Sequence, residues 1–182
     1  MGYVIRIIAV AFLSLSLVIS LCKAASDIDD CLEDIETLKK FQVYLCGGMG
    51  KFGKDNFEES NTWRIYCKNT LENCECDYNV KAVNPNDYFN FKEEQPKYVS
   101  QREIMELDLH KLRNSNLVIV NFNDMYSLGS MSELAIAYDR RIPIIGLDIN
   151  KQELHPWQIE MCNRIFDDMD EMLDYVEDYY LT

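Results

Sequence analysis

The sequence predicts an α/β protein: a doubly wound, five-stranded parallel sheet in the flavodoxin-like order 2-1-3-4-5, preceded by an apolar N-terminal segment. Three observations predict it. Short continuous apolar runs, such as Leu117-Val-Ile-Val-Asn-Phe122, recur along the chain, as strands buried on both faces do. Stretches with helical apolar spacing alternate with them, and right-handed crossovers then wind helices onto both faces. The chain has 182 residues, enough for one domain with a real core but not for two.

The elements follow in order. Residues 7–22 are almost wholly apolar, with Arg6 before and Lys23 after. This reads as a signal peptide or membrane anchor occupying residues 1–25, somewhat short of the ~20 apolar residues of a comfortable span. If used, it directs the chain to the secretory route or a membrane; a later start leaves it cytoplasmic. Residues 26–40 hold an acidic amphipathic helix, with Ile28, Leu32, Ile35 and Leu38 at helical spacing. The domain proper is expected over 41–182.

Residues 41–46 read as a buried strand closed by Gly47-Gly48. A polar loop leads to a helix over 62–73. Residues 80–83 form a second short strand, stopped by Asn84-Pro85. Residues 86–99 are aromatic, polar and aperiodic, a long loop of the kind that often serves function. A helix over 100–114 starts at the capping pattern Ser100-Gln-Arg-Glu103. Then come a strand at 117–122, a helix at 130–140, a strand at 143–147, a short helix at 153–161, a strand at 164–166 and a closing helix at 169–180.

The formal net charge is −13. So acidic a surface repels phosphate backbones and argues against nucleic acid as a partner. A locally positive pocket for a small nucleotide remains compatible with it. Seven cysteines do not fix the compartment. Cys46 falls in a buried strand, where cysteine is usually a small hydrophobe. Cys67, Cys74 and Cys76 cluster without the paired spacing or nearby histidine of a zinc site; a disulfide suits them better if the chain is exported.

In such sheets ligands bind beyond the carboxyl ends of the strands, near the switch between strands 1 and 3. After strand 1 comes Tyr44-Leu-Cys-Gly-Gly-Met-Gly50, where glycine lets backbone approach a ligand or simply makes a turn. After strand 3, Asn121-Phe-Asn-Asp-Met-Tyr-Ser-Leu-Gly-Ser-Met-Ser-Glu133 leads into a helix N-terminus, which can hold an anion or a sugar hydroxyl. Glu133 is expected in that helix's first turn. Two readings of it stand: a capping box with Ser130, or an acid facing the crevice. Asp108, near the apolar side of the preceding helix, and the loop acids Asp87 and Asp124 are further candidates. Paired carboxylates around a sugar are what glycosidic cleavage requires.

These residues resemble a known pattern. Tyr44-x-Cys-Gly-Gly, Asn84-Pro85-x-x-Tyr88, Asp108, and Ser127-x-Gly-Ser-x-x-Glu133 followed by Leu-Ala-Ile-Ala are similar to the nucleoside 2-deoxyribosyltransferase family, over roughly residues 42–147. The resemblance implies that Glu133 is a nucleophile forming a deoxyribosyl ester and that Tyr44 orients it. It implies that Asp108 binds sugar hydroxyls or protonates the leaving base. Gly47 and Gly48 would floor the pocket, and Asp87, Asp124, Ser127, Gly129 and Ser130 would line the substrate. It implies a deoxynucleoside or deoxynucleotide substrate, a free nucleobase or water as acceptor, no metal or organic cofactor, and a homo-oligomer. Ser127 stands where transferases of free nucleosides often carry an acid. In this respect the chain resembles the related deoxynucleoside 5′-monophosphate N-glycosidases, in which serine and the helix N-terminus bind phosphate. A third reading is a non-catalytic nucleotide-binding module.

Overall fold

A computed structural model describes Lys23 and residues 38–49, 57–88 and 100–182. Its elements run β1 (Lys39–Gly47), α1 (Phe57–Glu72), β2 (Tyr78–Val83), α2 (Gln101–Arg113), β3 (Leu117–Asn121), α3 (Leu128–Asp139), β4 (Ile144–Leu147), α4 (Pro156–Met161), β5 (Arg164–Phe166) and α5 (Met169–Tyr180). They belong to one unit, Lys39–Thr182. The expected leader and the acidic helix lie outside the described residues, except Lys23 and the stretch from 38 to 40. Lys39 and Lys40 are strand, not helix: they pair with Tyr78 and Asn79. Among the described residues no helix is long and apolar enough to cross a membrane.

The sheet is parallel throughout, in the order β2-β1-β3-β4-β5. This is the predicted order. The strands form because apolar residues run continuously while their side chains alternate between two covered faces. Val43 and Leu45 of β1, Leu117 and Ile119 of β3, and Ile145 and Leu147 of β4 point to one face. There Trp63, Cys67 and Leu71 of α1 and Met172, Leu173 and Val176 of α5 cover them. Tyr44 and Cys46, Val118 and Val120, and Ile144 point to the other, under Leu112 of α2 and Leu134 and Ala137 of α3. Each fully buried aliphatic side chain contributes about 1.5–3 kcal/mol.

Several boundaries differ from the sequence reading. Helix α1 begins at Phe57, five residues early; Ser60, buried in that added turn, is polar and gives no apolar signal. Helix α3 begins at Leu128 rather than residue 130, because Ser127 is its N-cap. The carboxyl ends of β2 and β3 share one device. Asn84 and Asn121 each accept a hydrogen bond from the backbone two residues on, Asn86 N and Asn123 N. Each thereby starts a short 3-10 turn, at Pro85–Asp87 and Phe122–Asp124. The expected cap of α2 is present, Ser100 Oγ accepting from Glu103 N. Cys46, Cys67, Cys74, Cys76 and Cys162 are free.

Candidate active site

Ser127 Oγ accepts from Ser130 N, and the Ser130 hydroxyl donates to Ser127 Oγ at 3.0 Å. With the cap at Ser127, Glu133 is the sixth residue of α3 and sits in its second turn. The first-turn expectation is therefore corrected, and so is the capping box with Ser130. Glu133 has other partners.

Those partners come from β1. Tyr44 and Cys46 are two residues apart, so they share a face and point at α3. Tyr44 Oη donates to Glu133 Oε1 at 2.7 Å, and Cys46 Sγ to Glu133 Oε2 at 3.1 Å. Each carboxylate oxygen thus receives one donor. Burial pushes the Glu133 pKa up; the Tyr44 and Cys46 hydrogen bonds oppose this, Asp108 adds to it, and Arg64 opposes it. Burial, then the Glu133 charge, raises both Tyr44 and Cys46, so both stay protonated and donate.

Asp108 of α2 is half-buried and accepts from Tyr88 Oη at 2.6 Å. Burial raises its pKa, against the Tyr88 hydrogen bond and the Arg64 charge. Asp108 acts electrostatically on both Tyr44 and Glu133, so two elevated carboxyls share this end of the sheet.

The sequence reading missed Arg64. It is 0% exposed. Its guanidinium donates to three backbone carbonyls: Leu45 O at 3.3 Å, Ser60 O at 2.8 Å and Gly47 O at 2.6 Å. Trp63 lies against it, 4.7 Å from Cζ to the ring centre. The cation thus grips β1 from the α1 face, on either side of Cys46, while Cys46 holds Glu133 on the other face. Burial lowers the Arg64 pKa, and the nearby Cys46, Glu133 and Tyr44 oppose that.

The remaining candidates divide. A Cβ on Gly47 would lie 2.9 Å from Trp63 Cζ2 and 3.1 Å from Arg64 Nη2, so packing against α1 requires glycine there. A Cβ on Gly48 would lie 2.5 Å from Asp124 Cβ, which places Asp124 directly beside the end of β1. Asp124 Oδ1 accepts from Tyr126 N and makes no hydrogen bond to Glu133. Asp87 is exposed and pairs with Lys68 at 2.5 Å and Asn84 at 3.2 Å; it stays outside the Glu133 network. Gly129 meets nothing within 4 Å, leaving open space at the α3 N-terminus beside Ser127 and Ser130. Gly48→Ala is therefore expected to destabilise the protein by about 1–3 kcal/mol through overpacking. Gly129→Ala is expected to be neutral or stabilising by up to about 1 kcal/mol, through helix propensity. Urea unfolding of the two variants checks the contrast.

A groove of about 930 Å³ borders α3, lined by Met125, Tyr126, Leu128, Met131 and Trp157 among others. Its rim is apolar and open: Tyr126 is 85% exposed, Leu128 82% and Trp157 70%. Neither Glu133 nor Asp108 lines it.

Comparison with protein-family models gives no match, and neither does comparison with curated proteins. Solved structures do match. A conserved protein from Enterococcus faecalis V583 superposes with a TM-score of 0.61 at 13% identity, over 76% of this chain and 98% of that one. A 2-deoxyribosyltransferase from Bacillus psychrosaccharolyticus gives 0.59 at 12% identity, over 74% and 91%. A deoxyribosyltransferase from Leishmania mexicana gives 0.52 at 15% identity, over 78% and 99%. The chain shares their fold over nearly their whole length.

Proposed function

We propose that this chain cleaves the N-glycosidic bond of 2′-deoxynucleosides through attack of Glu133 on C1′ and transfers the sugar to another base. The observation that carries the reading is the Glu133 carboxylate, held by Tyr44 and Cys46 on β1 beside a second elevated carboxyl, Asp108. The fold it shares with two solved deoxyribosyltransferases, and the motif resemblance, agree with it.

Glu133 receives two donors, which favour its anion, and Asp108 receives one, while burial raises both. The motif resemblance gives Glu133 the nucleophile's role and Asp108 the proton's. In the first step a Glu133 oxygen bonds to C1′. The C1′–N bond breaks, its electron pair leaves with the base, and Asp108 supplies a proton. In the second step a nitrogen of another base attacks C1′, its proton passes to the Asp108 carboxylate, and the C1′–O electron pair returns to Glu133. Two inversions retain configuration. These steps ask for no metal or organic cofactor.

A second reading, hydrolysis of deoxynucleoside 5′-monophosphates, is favoured by one feature. The α3 N-terminus presents Ser127, Ser130 and open space at Gly129, a setting that suits a phosphate better than a hydroxyl.

The test is free-base release, measured by chromatography on a panel of deoxynucleosides and their 5′-monophosphates, with and without a second base. Release or exchange that Glu133→Ala loses supports the reading, and the preferred substrate assigns the branch. A folded wild-type protein that turns over nothing in the panel, yet binds nucleotides equally with and without the Glu133 carboxylate, would point to a binding module.

A further inference from the structure

We propose that Cys46 is a positioning residue that makes Oε2 the attacking oxygen of Glu133 and frees it by turning its S–H to the Ser130 carbonyl. The proposal rests on the reading of Glu133 as nucleophile and deepens it.

The argument starts from unequal donors. The Tyr44 hydroxyl holds Oε1 at 2.7 Å, a strong charge-assisted bond. The Cys46 thiol holds Oε2 at 3.1 Å, and S–H is a weak donor. An oxygen that forms a bond to carbon gives up negative charge and with it most of its acceptor strength. The oxygen under the weaker donor is released at least cost.

The thiol also has somewhere to go. Cys46 Sγ lies 3.6 Å from Ser130 O as well as 3.1 Å from Oε2, so one proton has two acceptors. Among the described residues, the Tyr44 hydroxyl has Glu133 alone. Cys46 is 1% exposed, and Arg64 fixes the carbonyls of Leu45 and Gly47 on either side of it. The sulfur is therefore held while its proton can rotate. Burial and the Glu133 charge keep the thiol protonated, so it acts as donor and not as nucleophile.

The cycle balances. Before attack the S–H points to Oε2. Oε2 bonds to C1′, the C1′–N pair leaves with the base, and the S–H turns to Ser130 O. When the acceptor displaces Glu133, the electron pair returns to Oε2 and the S–H turns back. Among the described residues, the charged and titratable groups acting on Glu133 are Tyr44 and Cys46 from β1, Asp108 from α2 and Arg64 from α1. Of these, only Cys46 and Tyr44 hydrogen-bond it.

The experiment compares Cys46→Ala, Cys46→Ser and Glu133→Ala in single-turnover base release across pH, on whichever deoxynucleoside or 5′-monophosphate the wild-type protein cleaves. Cys46→Ala is expected to move the acid limb up by about half to one pH unit and to slow release about three- to tenfold on that limb, with KM unchanged. Cys46→Ser, which keeps a donor, is expected to return the limb toward wild type but to slow the plateau rate, because O–H releases the oxygen less readily. A folded Cys46→Ala with the wild-type rate and pH profile overturns the proposal, as does a Cys46→Ser indistinguishable from Cys46→Ala. If Cys46→Ala does not fold, an unchanged plateau rate in Cys46→Ser overturns it. Base release that persists in Glu133→Ala refutes the nucleophile instead. The S–H stretching band, isolated as the infrared difference between wild type and Cys46→Ser, supplies a readout that needs no turnover. It is expected to shift to higher frequency in Glu133→Gln; an unmoved band overturns the contact.

Discussion

Glu133→Gln is expected to lower base release by on the order of 10⁴-fold or more while making the protein more stable above the folded pKa of Glu133. The loss of rate follows from replacing the anionic carboxylate that carries the sugar between the two displacements by a neutral, weakly nucleophilic amide. An amide keeps the shape and can still accept from Tyr44, so binding should change little and kcat should carry the effect. The gain in stability follows from linkage. Burial raises the Glu133 pKa above its unfolded value. A group raised on folding contributes stability that is fully present below its unfolded pKa and is lost as pH rises through its folded pKa. Above its folded pKa the wild-type protein carries an ionised carboxylate whose burial the Tyr44 and Cys46 hydrogen bonds and the Arg64 charge offset only in part, whereas glutamine is neutral throughout. Melting should be a few degrees higher for Glu133→Gln above that pKa, with the gap closing as pH falls through it. Scanning calorimetry at several pH values measures both limits. Equal melting temperatures at every pH would mean that the carboxylate is not held at a cost.

Arg64→Leu is expected to destabilise the fold by on the order of 3–5 kcal/mol, a large part of an ordinary domain's total stability. Leucine fills much of the space but donates nothing. The carbonyls of Leu45, Ser60 and Gly47 would lose the guanidinium that now donates to each, and a buried polar group left without a partner costs about 1–3 kcal/mol. Arg64→Lys should also destabilise, though less. Its single ammonium keeps the charge but cannot span carbonyls in a planar fork. Urea unfolding ranks the three proteins. A leucine variant with the wild-type midpoint would show that water or a shifted backbone satisfies these carbonyls at no cost. Lysine should also preserve more of the Glu133 pH profile than leucine does, since the Arg64 charge favours the Glu133 anion.

The contrast between Arg64 and Glu133 shows what a sequence discloses. The strand order was legible because β3, Leu117–Asn121, is apolar at four consecutive positions and buried at all five, and no surface strand reads that way. Helix α5 was legible because Met172, Leu173 and Val176 repeat at helical spacing and are buried together. Glu133 was visible as an acid near the right edge, but its pattern with Ser130 also spelled a cap. Only the position of Ser127, which starts the helix earlier, separates the two. Tyr44 and Cys46 carried a usable signal, since residues two apart on a strand share a face, yet a buried cysteine reads as filler until an acceptor stands opposite it. Arg64 carried almost none. Within Thr62-Trp-Arg-Ile-Tyr66 a cation suggests the solvent side of a helix. What buries it is a set of carbonyls contributed by β1 and by α1 itself, and backbone acceptors have no letter in the sequence. Asp87 illustrates the converse: it sits at the expected strand end, but Lys68 on α1 engages it first.

Two glutamines from beyond β4 reach back to the loop that carries Asp124 and Ser127. Gln152 Nε2 donates to Phe122 O, and Gln158 Nε2 to Met125 O at 2.8 Å, while Gln158 Oε1 accepts from His155 N at 2.7 Å to cap α4. Loops at the edge of an open sheet usually fluctuate independently, each opening at its own small free energy. Here the bonds that hold one loop are the bonds that hold the next, so neither can detach without breaking the other. The segments 122–127 and 152–158, which flank the apolar groove, are therefore expected to open as a single cooperative unit of local unfolding, and a ligand that steadies one half should steady both.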